Sequence, residues 1–596
     1  MGAAWIDGYV IDGYVVALLV PLAGAILVSG IDDLLIDAAW LWAWLKELFR
    51  PAASLFPPGP RQLEAAPRRL IAIFVPLWHE DAVIARMLEH NLASIRYAEL
   101  HIFVGCYPND VATQEAVRSV ARRFSNVHLA VCPHDGPTSK ADCLNWVYQH
   151  MLLSEEEAGI RFEIVVTHDA EDLIHPEELR WINYYAARYD FVQTPVLPLR
   201  TSPFEVTHGV YIDEFAEYHT RDMTVRAALG GFVPSCGVGT GYRRKALERL
   251  AETSSNHVFE PEALTEDYDN GLRLKRLGCT QAFVPIAPHG ASDFVATREF
   301  FPRNFRAAPR QRTRWVMGIS LQSWQKFGWR GSPAEIYWLW RDRKGLLANP
   351  LSMVANFVFL YGLATNIWSR APVEAMRLAE ITYSLLALRT AVRMACVARI
   401  YGPWLALGVP VRAVYANVLN SAATVEAIRR FTWARLHGRP LKWLKTEHAY
   451  PSRSVLLSHK RPLGEILTGG GYVSTGVLNL ALKSCPPGTR LGEHLVRNGK
   501  LAMRDLYDAL SFQQGLPLAQ VEARTVRPQT ARSLPEALLR RWQLIPFRAA
   551  DGALFLASPE PPTAELTTAL SQFTKLEPRF HLLPPAEFET LTAALL

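Results

Sequence analysis

A chain of 596 residues with 63 basic and 57 acidic side chains, net charge +6, has room for two or three domains. Its acids and bases are spread along the chain, which excludes a nucleic-acid-binding role argued from charge. Hydrophobic residues at 49% and 17 tryptophans suit a polytopic membrane enzyme with a large soluble part, because Trp gathers at membrane interfaces.

Eighteen uncharged residues, Tyr14 to Ile31, are just enough to span a bilayer. No basic residue precedes them, so the segment is expected to remain as an anchor rather than be cleaved as a signal peptide. The Trp-rich "AAWLWAWLKELFR" that follows predicts a helix lying at the interface, and "PAASLFPPGP" a linker, closing an N-terminal unit at residues 1–60. From Leu70 to about Pro288, short β-rich runs ("LIAIFVPL", "LHIFVG", "VHLAV", "FEIVVTH", "DFVQTPVL") alternate with helical patterns. That alternation predicts an α/β domain with a mostly parallel sheet and crossover helices, placed at 65–345.

Residues 346–450 read as transmembrane and interfacial helices. Leu346–Ile367 is a good span; Leu378–Ile400 has span length but contains Arg389 and Arg393, one helical turn apart. An arginine at span centre costs ~3 kcal/mol or more, so these two are expected to face protein, water or phosphate, or to snorkel to the surface. Leu405–Val425, broken by Pro410, Arg412, Asn417 and Asn420, reads as interfacial. The basic "RRFTWARLHGRPLKWLK" is cytoplasmic by the positive-inside rule. Three spans with the N-terminus outside put both the α/β domain and the C-terminal region inside; four would separate them. The seven scattered cysteines, without a C-x-x-C pair, fit a reduced compartment and no zinc site.

The C-terminal region, 458–596, contains an internal repeat. "PLGEILTGGGYVSTGVLNLALKSC" (462–485) overlays "RLGEHLVRNGKLAMRDLYDALSFQ" (490–513) at an offset of 28, each copy predicting a helix, a Gly-bounded turn and a second helix.

Three motifs carry candidate chemistry. "HDAED" (168–172) puts Asp169 and Glu171 at a strand end, where both can turn toward one Mg²⁺ or Mn²⁺; a solvated loop is the plainer alternative, and His168 and His175 read as structural. In "LTEDYDNGLRLKRLG" (264–278), Thr265 is placed as an N-cap with Glu266 and Asp267 in the favourable first turn; Asp267 is also a candidate general base. "QRTRW" (311–315) offers Gln311, Arg314 and Trp315 to the mouth of a sugar site, or else forms an interfacial helix.

In this order the motifs resemble the processive family-2 glycosyltransferases, membrane-integrated GT-A enzymes such as cellulose and hyaluronan synthases, over about residues 65–345. The resemblance implies that Asp169 and Glu171 hold the metal-bound UDP-sugar, that Asp267 beside Glu266 is the base, and that Gln311, Arg314 and Trp315 gate the acceptor. It further implies nucleotide contacts from Pro76 and Glu80 in "VPLWHE", and from Lys140 and Asn145 in "SKADCLN". The family's uridine-binding Asp-Asp pair is replaced by "GCYPND", leaving Asp110, and Asp172 is a possible substitute for the second metal carboxylate. "GCYPND", "HDAED", "DEFAEYH", "GVGTGYRR", "WRDRKGLLANP" and "WLKTEHAY" together resemble a narrower inner-membrane group of such transferases.

The repeat resembles the N-terminal domain of type II secretion ATPases, several of which bind cyclic di-GMP through two such motifs. This implies a ligand site from Arg461, Leu463 and Gly464 in the first copy and from Arg490, Leu491, Gly492, Leu510 and Gln513 in the second. Pro462 and Cys485 depart from the motif in the first copy, and no nucleotide-binding P-loop occurs, so only a sensor is expected. The resemblances imply a multi-pass inner-membrane enzyme with cytoplasmic catalytic and sensor domains. It would polymerise a UDP-N-acetylhexosamine, N-acetylmannosamine first among candidates, with cyclic di-GMP as activator and an outer-membrane export partner. A non-processive transferase to a lipid, and a cyclic di-GMP-responsive scaffold without activity, are the alternatives.

Overall fold

The computed structural model describes residues 2–49, 60–285, 294–366, 371–439 and, with short gaps, 463–595. Residues 51–59 of the expected linker, Arg461, Pro462 and the basic segment beyond Arg439 lie outside them.

Alternating side chains of the β-rich runs are buried on both faces, which requires a sheet covered on two sides. Among the described residues of the first half, nine strands form: β1 (Ile71–Pro76), β2 (Leu100–Cys106), β3 (Val127–Val131), β4 (Ile164–Thr167), β5 (Phe191–Gln193), β6 (Val196–Pro198), β7 (Thr240–Arg243), β8 (Gln281–Phe283) and β9 (Thr297–Glu299). Seven make one sheet in the order β3-β2-β1-β4-β7-β5-β8, and β6 pairs with β9. β1, β2, β3 and β4 run parallel, while β7 is antiparallel to both neighbours, β4 and β5. Ile71, Ile73 and Val75 of β1 face one core with helices Ile84–Ser94 and Glu178–Ala186; Ala72 and Phe74 face the other with helix Lys140–Ala158. This is a GT-A-like mixed sheet.

Three described helices are long and apolar enough to cross a membrane: Asp12–Ala43, Pro333–Thr365 and Val373–Tyr401. The first belongs to one continuous helix, Gly2–Phe49, so the anchor and the Trp-rich stretch are not separate elements as expected. Asp32, Asp33 and Asp37 do not break it because each is neutralised. Asp32 takes Lys344 Nζ at 2.6 Å and Arg341, Asp33 takes Arg389 Nη1 at 2.6 Å, and Asp37 takes Arg221 Nη1 at 2.6 Å. Arg393 Nε lies 2.5 Å from Glu217, so both span arginines turn toward protein rather than lipid. Helix Val409–Leu436, not among the three, buries Arg412, Ala416, Leu419, Ala423 and Ala427 and exposes Val411, Val414, Val418 and Val425.

The C-terminal region is a small α+β unit. Helices Thr475–Ser484, Leu491–Arg497 and Met503–Gln514 precede a sheet of β10 (Ile545–Ala550), β11 (Ala553–Ser558) and β12 (Glu577–Leu582) in that order. The repeat is visible as an exchange of contacts. A Cβ on Gly464 would meet Leu478 and Leu491, and one on Gly492 would meet Leu506 and Leu463. Each glycine lies under the leucine 14 residues on in its own copy and under the motif leucine of the other copy.

Candidate active site

The C-terminal ends of parallel strands point their loops to one side, and a cavity opens there, as expected for ligand sites in α/β sheets. Pro76 ends β1 and Trp78 and Glu80 follow it, Tyr107 follows β2, Thr138 precedes and Lys140 opens helix Lys140–Ala158, and Asp169 and Glu171 follow β4. From the other side come Cys236, Val238, Glu266, Asp267, Glu299, Phe301, Gln311, Arg314 and Trp315.

Lys140 Nζ lies 2.6 Å from Asp169 Oδ1 and 4.0 Å from Glu266 Oε1. Burial alone would depress this ammonium, but Asp169, Glu266 and Asp267 more than offset it and hold it well above the ordinary lysine value. Burial raises the Glu266 carboxyl, the adjacent Asp267 adds to the rise, and Lys140 opposes it. Asp267 is raised in the same way by burial, against Lys140. Its Oδ1 accepts the Tyr268 N–H at 2.8 Å, leaving Oδ2 toward Gly237, where an added Cβ would come within 2.8 Å.

Thr265 occupies the N-cap position, but its hydroxyl makes no capping bond; it packs under Gly318, where a Cβ would fall 2.3 Å from Oγ1. The Leu264 N–H donates to Gln322 Oε1, and Arg314 Nη1 donates to Leu264 O at 3.2 Å, so the segment after "QRTRW" grips the loop before Glu266. Within helix Ala307–Trp315, Gln311, Arg314 and Trp315 line the cavity. Arg312 and Thr313 face the other way, Arg312 to Glu214 at 2.7 Å and Asn420 at 2.6 Å, Thr313 to Ala423 O. Gln311 Oε1 has no hydrogen-bond partner among the described residues.

Two expected nucleotide contacts fall outside the cavity lining. Asp110 is a buried helix N-cap that accepts the His79 N–H at 2.6 Å and the Thr113 N–H, so it shapes the loop after β1. Asn145 is spent on the backbone of Val258 and Phe259. Asp172, the substitute ligand, also turns away: its Oδ2 accepts the Asp169 N–H and contacts His168 Nδ1 at 2.8 Å. His168 sits between Asp172 and Glu178, and His175 accepts the Glu177 N–H. Trp78 and Tyr107 stand in quoted motifs but were not singled out; Glu299 and Phe301 had no sequence signal, being brought in by the β6–β9 pair.

Asp169 and Glu171 suit a hard divalent cation that shares its shell with a diphosphate, a geometry needing only one or two protein carboxylates. The surplus of acids lining the cavity also favours a cation there.

In the C-terminal unit Arg490 is mostly exposed and its Nη1 lies 2.6 Å from Glu560. Leu463 and Leu491 meet across the repeat through the glycine contacts above, with Leu510 packed at the same core. Gln513 lies at the end of helix Met503–Gln514.

The sequence matches the family described as glycosyltransferase like family 2 over residues 67–318 and the MshEN domain over 514–595. Fold and matches define a glycosyltransferase with three helices able to cross a membrane and a C-terminal MshEN domain. Bacteriophage N4 adsorption protein B of Escherichia coli O157:H7 is 34% identical over 590 residues, covering 93% of this chain and 77% of that protein. The chain belongs to the bacteriophage N4 adsorption protein B family, the narrower group toward which the six quoted segments point. Among solved structures, the mannosyltransferase PcManGT from Pyrobaculum calidifontis in complex with GDP-Man and Mn²⁺ is 16% identical (TM-score 0.44, 70% of this chain, 99% of that one). The structure of MshE with cdg is 25% identical (TM-score 0.21, 23% of this chain, 99% of that one).

Proposed function

We propose that this glycosyltransferase inverts the anomeric centre of a UDP-sugar as it extends a polysaccharide at the bacterial inner membrane, and that cyclic di-GMP bound by the C-terminal unit activates it. The single observation that carries the reading is the convergence of Asp169, Glu171, Asp267, Gln311, Arg314 and Trp315 on one cavity. Asp169 and Glu171 would hold Mg²⁺ or Mn²⁺, which would supply positive charge to the donor diphosphate. Lys140 adds a fixed cation beside Asp169. Asp267 accepts the proton of the acceptor hydroxyl as that oxygen bonds to the anomeric carbon, the bond to diphosphate breaks and UDP leaves. Arg314 neutralises the leaving diphosphate, Trp315 stacks on the acceptor ring, and Gln311 lines the acceptor mouth beside them.

An N-acetylhexosamine donor, N-acetylmannosamine first, follows from the family resemblance, as do cytoplasmic catalytic and sensor domains, a multi-pass topology, lipid contact and an outer-membrane export partner. For the sensor, support lies in the paired motif, with Arg490, Leu491, Gly492, Leu510 and Gln513 intact in the second copy. UDP release from a panel of UDP-sugars, with and without cyclic di-GMP, tests the whole reading. Release with no donor defeats it, and product length separates a polymerase from a single-sugar transferase.

A further inference from the structure

The two copies of the C-terminal repeat differ at one structurally equivalent place. Tyr472 N–H donates to Leu467 O at 2.9 Å in the first copy, and Lys500 N–H donates to Leu495 O at 2.9 Å in the second. Lys500 is exposed to water, whereas Tyr472 is half-buried against the transferase, with the Arg96 guanidinium 3.6 Å from its ring centroid. Helix Met503–Gln514 of the C-terminal unit packs on helix Ile84–Ser94 beside this pair. The second copy thus touches the transferase through helix Met503–Gln514, and the first, the copy that has lost ligand-motif residues, docks through Tyr472.

What it docks on leads to the donor site. Arg96 N–H donates to Pro176 O at 3.0 Å, its guanidinium lies 3.5 Å from Glu177, and Arg180 Nε donates to Arg96 O. One turn back, the fully buried Asn91 donates to Asp172 O at 2.9 Å and accepts the Ile174 N–H at 3.0 Å. Asp172 in turn holds the Asp169 N–H. The segment running from Asp169 and Glu171 to Glu177 is thus fixed to one helix, and the end of that helix is gripped by Tyr472.

We infer that Tyr472, Arg96 and Asn91 form a coupling element by which the C-terminal unit sets the position of the Asp169–Glu171 loop, Asn91 and Arg96 acting as positioning residues. That cyclic di-GMP is what moves the unit rests on the reading above; the coupling itself does not. The ligand acts only as far as it prefers one arrangement of this contact, and donor binding must feed back on the sensor by the same factor.

Hydrogen exchange on the full chain in lipid nanodiscs, with calorimetry of UDP plus Mn²⁺, tests the coupling without the dinucleotide. Tyr472→Leu is expected to speed exchange across 168–178 and to weaken UDP–Mn²⁺ binding, each by about threefold, the scale of one part-exposed cation–π contact. Exchange in β3 should not change, and Tyr472→Phe, which keeps the ring, should match wild type. Unchanged exchange and affinity in Tyr472→Leu overturn the inference, as does loosening of β3 together with 168–178, which marks a merely structural contact. With cyclic di-GMP added, wild type is expected to slow exchange at 168–178. If calorimetry finds no dinucleotide binding, the sensor reading fails while the variants still judge the coupling.

Discussion

Gly237→Ala isolates the placement of the proposed base from the binding of donor. Gly237 has φ +84° and would carry its Cβ 2.8 Å from Asp267 Oδ2, whereas Lys140 Nζ at 3.5 Å is an ordinary contact. The carboxylate cannot swing freely, because Oδ1 is held by the Tyr268 N–H at 2.8 Å. Restoring a normal contact of 3.4 Å takes a shift of ~0.6 Å at Oδ2, on the scale where a 1 Å misplacement is worth ~10²-fold in rate. A fall in kcat of about 10- to 20-fold is expected, with UDP–Mn²⁺ affinity within twofold of wild type. The left-handed backbone adds about 1–2 kcal/mol of strain for alanine, so melting should drop by a few degrees without loss of the fold. Initial-rate UDP release, calorimetry and a thermal melt read the three quantities. A folded variant with wild-type kcat, or with kcat and UDP affinity falling together, would refute the base assignment.

Asp267→Asn should lower kcat by about 10²–10⁴-fold while sparing UDP–Mn²⁺ affinity, measured by UDP release and calorimetry. Because burial raises the Asp267 carboxyl, wild-type kcat should fall on the acid side at a pH above the ordinary aspartate range, and the residual Asn rate should lack that limb. His168 is pulled down by burial, but Glu178 and Asp172 more than offset this and raise it to about 9, so the buried imidazolium stabilises the fold below pH ~6.5 and that support is lost as pH rises through 9. At 1.36 kcal/mol per unit this is ~3 kcal/mol, visible as a melting temperature that falls from pH 7 to 9.5 in wild type and not in His168→Gln. Arg490 is engaged by Glu560, so Glu560→Gln should tighten cyclic di-GMP binding a few-fold and Arg490→Ala should weaken it; equal affinities would place the ligand elsewhere.

What could be read in advance follows the strength of local signals. β1 to β4 are runs of Val, Ile, Phe and Leu, and each stands where the pattern put it. β7, "TGYR", carries no readable signal: four residues with a glycine have little β propensity, and the strand exists because Tyr242 fits between Val165 and Phe191 and Gly241 between Val166 and Val192. The continuous N-terminal helix was likewise out of reach, since Asp32, Asp33 and Asp37 look like a span boundary until their partners arrive from 337–344, 221 and 389. Polar residues are the harder class. Asp169 and Asp110 each follow a strand in a motif, yet Asp110 is consumed by two backbone amides, a fate fixed by how its loop closes on His79. The Asn145 amide is absorbed by the loop backbone of Val258 and Phe259, more than a hundred residues away.

The charge of the cavity joins these pieces. Glu80, Asp169, Glu171, Glu266, Asp267 and Glu299 line it against Lys140 and Arg314, six carboxyl groups to two cations. A donor diphosphate brings more negative charge and would be repelled from such a site alone, whereas in company with a divalent ion it is nearly neutral. Burial, and then the same surplus, raises the carboxyls of Glu266 and Asp267. A divalent ion held beside Asp169 would act against that rise, so the proposed base Asp267 would ionise more readily with a metal-bound donor in place.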